Sequence, residues 1–203
     1  MDAGGIFQAV DRWTFLLINH SLQNPAFDRL MPILSDKRVA LLLAVALIPI
    51  LLERCGHRVW PAIAVAAVAV AVSDQGSTLL KDFIQRPRPC HVVADVHLLS
   101  KCTHTFAMPS GHASNMFAFA GVAWAASVGW RWAMPILAIG VAYSRIYLGV
   151  HYPGDVILGA VWGSATGWGL MRGATRILPV RWLARKDPAP GDRSPASDPA
   201  GTR

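Results

Sequence analysis

Apolar residues in this chain form long continuous runs rather than short alternating patterns. Five of these runs approach the length of about 20 residues with which a helix crosses a bilayer. Each is rich in Ala, Gly, Val and Leu and is bounded by charged residues, Pro or Gly. Because small residues let helices pack closely in lipid, the pattern predicts an all-α, polytopic bundle of transmembrane helices. The runs cover residues 39–52, 59–80, 113–130, 132–150 and 156–171.

The N-terminal segment is amphipathic rather than uniformly apolar. Between Ile6 and Leu22, aromatic and aliphatic residues are mixed with polar ones such as Asp11 and Arg12. This mixture predicts a helix that lies at the membrane interface, and a short sixth span is the alternative. We also expect residues 31–34 to extend the first apolar run towards its N-terminal side.

The C-terminal segment has the composition of a disordered tail. Residues 186–203 are rich in Pro, Asp, Ser, Gly and Ala, and such a segment has too little apolar surface to fold. The rest of the sequence shows neither an internal repeat nor a second domain. We therefore expect one membrane-embedded domain over residues 1–185, followed by this tail.

Composition supports a membrane protein. Hydrophobic residues make up 53% of the 203 residues and charged residues only 15%, whereas soluble domains carry about 25% charged residues. The formal net charge is +7, but Lys and Arg lie mainly at the ends of the runs or in polar clusters. The sequence contains no continuous basic stripe with aromatic platforms, which is the pattern that would indicate nucleic-acid binding. We expect membrane lipids and an anionic substrate as partners, and no nucleic acid.

Three polar clusters interrupt the apolar pattern, and they fit the patterns K-x6-R-P, P-S-G-H and S-R-x5-H-x3-D. Together they supply three cations, a hydroxyl, a flexible backbone donor, two histidines and a carboxylate. An enzyme needs such a set to hold a phosphate and attack it without a metal. The contributing residues are Lys81, Arg88, Ser110, Gly111, His112, Arg145, His151 and Asp155.

The second cluster directly precedes the third apolar run. Ser110 is expected to be the N-cap of that helix, whose first backbone N–H groups have no partner within the helix. A helix start of this kind binds anions, and Gly111 lets a phosphate oxygen approach the backbone closely. His112 would then lie in the first turn, beside the bound anion. A capped helix with an uninvolved histidine is the alternative.

The first cluster closes the second apolar run. Lys81 offers a point charge and Arg88 a planar fork, and both suit phosphate oxygens. Pro87 and Pro89 are expected to stop the helix and to extend the chain. Simple anchoring of Lys81 and Arg88 at the level of the headgroups is the alternative.

The third cluster combines a buried charge with a histidine and a carboxylate. Arg145 falls within an apolar run, where a charge is unfavourable and usually marks function. Asp155 is expected to accept a hydrogen bond from one nitrogen of His151, leaving the other nitrogen free to attack. A metal site built from His112, His151 and Asp155 is the rival, disfavoured because three cations at the same site would repel a metal.

In this order the three patterns resemble the signature of the phosphatidic acid phosphatase type 2 superfamily, with a match at every signature position. The resemblance implies a helical bundle and a metal-independent lipid phosphatase without a cofactor. It implies that His151 is the nucleophile, that Asp155 orients it, and that His112 is first the general acid and then the base. The residues implied to bind the phosphate are Lys81, Arg88, Ser110, Gly111 and Arg145.

Small size resembles the members that act on undecaprenyl diphosphate, and we expect that substrate. Phosphatidylglycerol phosphate, phosphatidic acid and lipid A 1-phosphate are the alternatives, because the clusters bind the phosphoryl group and say little about the tail. The related vanadate-dependent haloperoxidases are soluble and are disfavoured by the apolar runs. A transporter of anionic lipid or phosphate is the alternative of another class, since Ser73, Asp74 and Gln75 place polar groups within the second run.

The distribution of basic residues predicts the orientation. More Lys and Arg lie near span ends on the side away from the clusters, and the positive-inside rule then places the clusters outside the cytoplasm. We expect a bacterial inner-membrane protein whose site faces the periplasm. Cys90 and Cys102 lie in the loop on that side, where they either pair or remain free thiols.

Overall fold

The structure is a computed structural model that describes residues 3–55, 59–126 and 132–177. Secondary structure within these ranges is helical. The predicted tail, 186–203, and the last residues of the predicted domain lie outside the described residues. The longer helices are α1 (Ala3–Leu16), α2 (Pro25–Ser35), α3 (Lys37–Cys55), α4 (Trp60–Ile84), α6 (Gly111–Ala125), α7 (Ala133–Tyr147) and α8 (Pro153–Ile177), and α5 (Pro89–Val92) is a single turn.

In the described residues each of the five predicted apolar runs contributes to one helix, and these are α3, α4, α6, α7 and α8. The all-α prediction is therefore confirmed. Within the described ranges, one helical stretch, which starts with α4 at Trp60, is long and apolar enough to cross a membrane by length and composition. Helix α7 is a shorter apolar helix. The count of five spans stays a prediction.

The N-terminal segment is helical, as predicted, but its continuation differs from expectation. Helix α1 runs into one turn of π-helix, Leu17–Ser21, and then the chain turns into α2. Residues 31–34 belong to α2, so the expectation that they extend the first run was wrong. The side chain of Asn24 caps α2 by accepting the N–H of Phe27 at 2.9 Å, and extended backbone at Asp36 (ψ 122°) separates α2 from α3.

Helix α6 lies at the centre of the bundle and packs most extensively against α8. The two backbones touch, because a Cβ on Gly163 would collide with the carbonyl of Ser114. On the other side, hydroxyl groups join α6 to α4: Ser114 Oγ lies 2.6 Å from Ser73 Oγ and accepts from Ser77 Oγ at 2.8 Å. Close packing of this kind fixes the ends of α4, α6 and α8 relative to one another.

Candidate active site

The three polar clusters meet at one end of the bundle. Lys81, near the end of α4, donates to the carbonyl oxygens of Pro109 and, at 3.4 Å, Ala107. The N–H of Ser110, before α6, donates to the carbonyl of Asp155, in the first turn of α8, at 2.8 Å. The structure therefore joins the first cluster to the second and the second to the third, as the sequence predicted.

His151 is buried in the turn between α7 and α8, with 2% of its surface exposed. Its Nε2 lies 3.1 Å from Nη1 of Arg88. Its Nδ1 lies 3.5 Å from Oδ2 of Asp155, which is longer than a hydrogen bond. The expected pairing of His151 with Asp155 is present as a close approach rather than a formed bond, and Nδ1 has no other partner in the described part of the chain.

The environment of His151 favours its neutral form. Burial and the positive charges of Arg88, Arg145 and Lys81 hold the pKa of His151 well below its ordinary value of 6.5. A neutral imidazole has a lone pair on one nitrogen, which a nucleophile requires.

Asp155 is fully buried and is held at both oxygens. Oδ1 accepts from Nη1 of Arg86 at 2.8 Å, and Oδ2 accepts from the backbone N–H of Tyr152 at 2.8 Å. Nη2 of Arg86 lies 2.6 Å from Oδ2 of Asp11 in α1. Sequence reasoning missed Arg86 and Asp11. The repeated Arg-Pro of residues 86–89 was the one signal that could have pointed to Arg86.

Arg88 is held in place by the loop that precedes α6. Its Nε donates to the carbonyl of Thr105 at 2.8 Å, and Nη2 donates to Thr105 Oγ1 at 2.9 Å. Only 6% of Arg88 is exposed. Thr105 was also missed by sequence reasoning. The expectation that both prolines extend the chain was wrong for Pro89, which begins α5.

A disulfide closes the same loop. Cys90 and Cys102 are bonded, with Cα atoms 6.3 Å apart, so of the two alternatives left open by the sequence the structure has the bridge. His91 lies beside it, with Nε2 3.3 Å from Sγ of Cys102, and its ring stacks on that of His104. Among the described residues Cys90, His91 and Cys102 form a group of candidate metal ligands, but both sulfurs are taken by the bridge.

Ser110 occupies the N-cap position of α6, but its side chain makes no capping hydrogen bond. The predicted N-cap position is therefore confirmed, although the side chain does not bond to the first N–H groups of the helix. Its Oγ is buried and has no partner in the described residues, and a buried hydroxyl without a partner is unfavourable by about 1–3 kcal/mol. A phosphate oxygen at the start of α6 would satisfy it. Gly111 and His112 follow in the first turn, both half-buried.

Arg145 lies in the last turn of α7, at the site end of the helix rather than deep within it. Its Nη1 donates to Oγ of Ser35, at the end of α2. Its Nε is buried without a partner among the described residues. Like Ser110, Arg145 therefore has hydrogen-bonding capacity to offer an anion.

The family match agrees with this arrangement. The PAP2 superfamily matches residues 58–178, which contain all three clusters. The chain belongs to the PAP2 superfamily. A lipid A 4'-phosphatase from Bacteroides thetaiotaomicron is 29% identical to this PAP2 protein over 163 residues, which are 75% of this chain and 72% of the relative. An undecaprenyl-diphosphatase from Sulfolobus acidocaldarius is 40% identical over 78 residues, 38% of each chain.

A solved structure shares the fold. It is the transmembrane PAP2 type phosphatidylglycerolphosphate phosphatase from Bacillus subtilis, with a TM-score of 0.69 and 20% identity over 87% of this chain and 90% of that chain. At this identity the likeness concerns the fold. The named relatives of this PAP2 protein are phosphatases, and phosphatase activity is what its family membership supports.

Proposed function

We propose that this PAP2 protein is an integral-membrane, metal-independent phosphatase that hydrolyses a lipid phosphate or diphosphate through a phosphohistidine at His151. The observation that carries the proposal is the position of His151 between two partners. Nε2 faces the guanidinium of Arg88 at 3.1 Å, and Nδ1 faces the carboxylate of Asp155 at 3.5 Å. This is the arrangement of an oriented nucleophile beside an anion site.

The phosphate would bind among groups that neutralise its oxygens. Lys81, Arg88 and Arg145 supply positive charge, and Ser110 and the backbone of Gly111 supply hydrogen bonds. In phosphoryl transfer most of the catalysis consists of such positioning and charge neutralisation. Removing one preorganised donor from a comparable oxyanion site raises the barrier by about 3–4 kcal/mol.

The first chemical step forms a bond between Nε2 of His151 and phosphorus. The bond from phosphorus to the oxygen of the leaving group breaks, and His112 gives its proton to that oxygen. The leaving group is the lipid alcohol of a monophosphate or the lipid phosphate of a diphosphate. Asp155 accepts the Nδ1–H of His151 and stabilises the positive ring that forms.

The second step returns the enzyme to its starting state. His112, now unprotonated, takes a proton from water while the water oxygen attacks phosphorus. The Nε2–phosphorus bond breaks, and inorganic phosphate leaves from the cationic site.

We propose undecaprenyl diphosphate as the substrate, supported by the 40% identity to an undecaprenyl-diphosphatase. That match covers 38% of each chain, whereas the match to a lipid A 4'-phosphatase covers 75% of this chain. A lipid A phosphate is therefore the second candidate, with phosphatidylglycerol phosphate and phosphatidic acid after it. Inorganic phosphate released from each purified lipid, in EDTA, ranks the candidates by kcat/KM.

The same assay tests the transporter alternative, because a transporter releases no phosphate from any of these lipids. Two of the polar residues that favoured transport have structural partners. Ser73 bonds to Ser114, and Asp74 accepts from Nδ2 of Asn115 at 2.8 Å. Both contacts hold α4 to α6, which is the usual use of polar side chains between membrane helices.

We propose that the site faces the periplasm across the bacterial inner membrane. The disulfide between Cys90 and Cys102 supports this side, since such bonds persist in oxidising compartments. Exposed apolar residues on α1, including Phe7, Val10 and Trp13, suit the membrane interface. Labelling of thiols on intact spheroplasts after reduction by a membrane-impermeant phosphine tests the orientation. Labelling of Cys90 and Cys102 that needs permeabilised membranes would place the site on the cytoplasmic side.

A further inference from the structure

Helix α1 carries a buried carboxylate that the interfacial position does not explain. Asp11 is 4% exposed, while the neighbouring Arg12 and Trp13 are exposed. Its Oδ1 accepts the backbone N–H of Gly154, at the start of α8, at 2.7 Å. Its Oδ2 lies 2.6 Å from Nη2 of Arg86, as an ion pair. An anchor needs no such group, because an anchoring helix directs its polar face towards water.

Arg86 connects this carboxylate to the candidate active site. One end of its guanidinium pairs with Asp11, and the other end donates to Oδ1 of Asp155 at 2.8 Å. Cζ of Arg86 lies over the ring of Tyr152, 4.2 Å from its centroid. A continuous line of contacts therefore runs from Asp11 through Arg86 and Asp155 to His151.

We propose that Arg86 and Asp11 are positioning residues for the nucleophile, and that the buried side of α1 thereby helps to hold the site in place. They fix the carboxylate of Asp155 behind His151 and keep it ionised. The inference rests on the proposed function, because it assigns a role to residues behind the phosphohistidine step.

Asp155 needs Arg86 because it is fully buried. A buried carboxylate that loses its charged partner takes up a proton or reorients. Arg86 holds Oδ1, so Oδ2 stays directed towards the N–H of Tyr152 and Nδ1 of His151. Without Arg86, Asp155 would no longer select the tautomer of His151 that leaves Nε2 free to attack.

Arg86 needs Asp11 because the surroundings are already cationic. Lys81, Arg88 and Arg145 all act on the charge of His151, and a further unpaired guanidinium would be repelled and would turn towards a bound phosphate. With a carboxylate on each side, Arg86 is held away from that role. The geometry therefore separates Arg86 from the phosphate ligands, although it lies two residues before Arg88.

The contact of α1 with α8 is close enough to transmit this positioning. A Cβ on Gly154 would lie 2.8 Å from the ring of Phe7 and 3.0 Å from Oδ2 of Asp11. Phe15 packs edge-on against Tyr152, with ring centroids 5.3 Å apart. Helix α1 is therefore seated on the turn 152–155, which carries the catalytic carboxylate.

The test compares Arg86→Gln, Arg86→Lys and Asp11→Asn with the matched control Arg12→Gln, an exposed neighbour on α1. Each full-length protein is purified in detergent, and kcat and KM are measured for phosphate release from the best wild-type lipid substrate. We expect kcat of Arg86→Gln to fall at least 10-fold and KM to change less than 3-fold. Arg86→Lys should recover part of kcat, Asp11→Asn should lose less than Arg86→Gln, and Arg12→Gln should stay within 2-fold of wild type.

A double-mutant cycle separates positioning from general destabilisation. In an Asp155→Asn background, Arg86→Gln should lower kcat no further, because its effect passes through Asp155. In the single variant Arg86→Gln, the acid limb of the pH profile of kcat should move to higher pH. Without the guanidinium, the buried carboxyl of Asp155 loses its proton only at a higher pH. A purely structural role would lower the melting temperature without moving this limb.

Several results would overturn the inference. One is a raised KM with unchanged kcat in Arg86→Gln, which would make Arg86 a phosphate ligand. Another is an additive loss in the Asp155→Asn background. If Arg86→Gln does not fold, Arg86→Lys and Asp11→Asn decide by the same criteria. A wild-type protein that releases no phosphate refutes the proposed function, whereas active wild type with unaffected Arg86 and Asp11 variants refutes this inference alone.

Discussion

Nε2 of His151 lies 3.1 Å from Nη1 of Arg88. A guanidinium can only donate, so Nε2 must be the accepting nitrogen of a neutral ring. The single ring proton is therefore on Nδ1, the nitrogen that faces Asp155 at 3.5 Å. Arg88 thus contacts the lone pair that would attack phosphorus, and a bound phosphate would take over the hydrogen bonds that Arg88 directs into the site.

This tautomer predicts the effect of Asp155→Asn. The amide can donate to Nδ1, which would move the ring proton to Nε2 and remove the nucleophilic lone pair. By analogy with other oriented histidines we expect kcat to fall by about 10⁴-fold while the protein still folds. Steady-state phosphate release, with circular dichroism as the folding control, checks this. Activity within 10-fold of wild type would show that Asp155 does not orient His151.

The pH behaviour of His151 follows from its surroundings. Burial and the nearby cations keep its pKa well below 6.5. A lowered pKa keeps the ring neutral at all higher pH values, so the nucleophile is lost only when pH falls through that lowered value. In an NMR titration of the free protein, with His151→Gln to assign the signal, His151 should remain neutral through pH 6.5. A midpoint at or above 6.5 would contradict the proposed environment.

Metal independence is the third expectation. Three cations and the start of α6 already surround the place where a phosphate would bind, so activity should be unchanged in EDTA. Vanadate, which imitates pentacoordinate phosphorus, should inhibit competitively. Loss of activity in EDTA that a divalent metal restores would favour the metal site of His112, His151 and Asp155.

The disulfide predicts a link between the loop and the phosphate site. The bridge begins at Cys90, two residues after Arg88, and ends at Cys102, three residues before Thr105, which holds Arg88. Cys102→Ser should raise KM more than it lowers kcat, because Arg88 loses its fixed position. It should also reduce stability by roughly 3 kcal/mol, the loop-closure value for a bridge of this span. Cys55→Ser is the matched control. If it changes KM and stability as much as Cys102→Ser does, the bridge has no specific role at the phosphate site.

Much of the fold and the convergence of the clusters could be predicted from sequence, for a definite physical reason. Long apolar runs form helices, and consecutive antiparallel helices return alternate loops to the same end of a bundle. The polar patterns at Lys81, Ser110 and His151 therefore had to come close together. Their fine geometry, such as the 3.5 Å separation of His151 and Asp155, could not be predicted, because Asp155 is also held by Arg86 from another part of the chain.

The contacts that sequence reasoning missed are those between distant parts of the chain. Asp11 and Arg86 belong to α1 and to the segment after α4, and neither pattern nor spacing connects them. Thr105 looks like an ordinary loop residue until the loop is folded over Arg88. Ser110 lies at the predicted N-cap position, but its Oγ is buried by the surrounding helices and makes no capping bond, which local cap preference could not show. Tertiary contacts decided each of these cases.

The central claim is a phosphohistidine at His151, and chemical trapping tests it most directly. Wild type, His112→Ala and His151→Ala are mixed with a lipid diphosphate radiolabelled at the terminal phosphate and quenched rapidly in alkali, in which phosphohistidine survives. We expect label on the peptide that contains His151. In His112→Ala the label should form more slowly but be lost more slowly still, because water is no longer activated. His151→Ala should carry no label and release no phosphate. Label on another residue, or phosphate release at a near-normal rate by His151→Ala, would contradict the account.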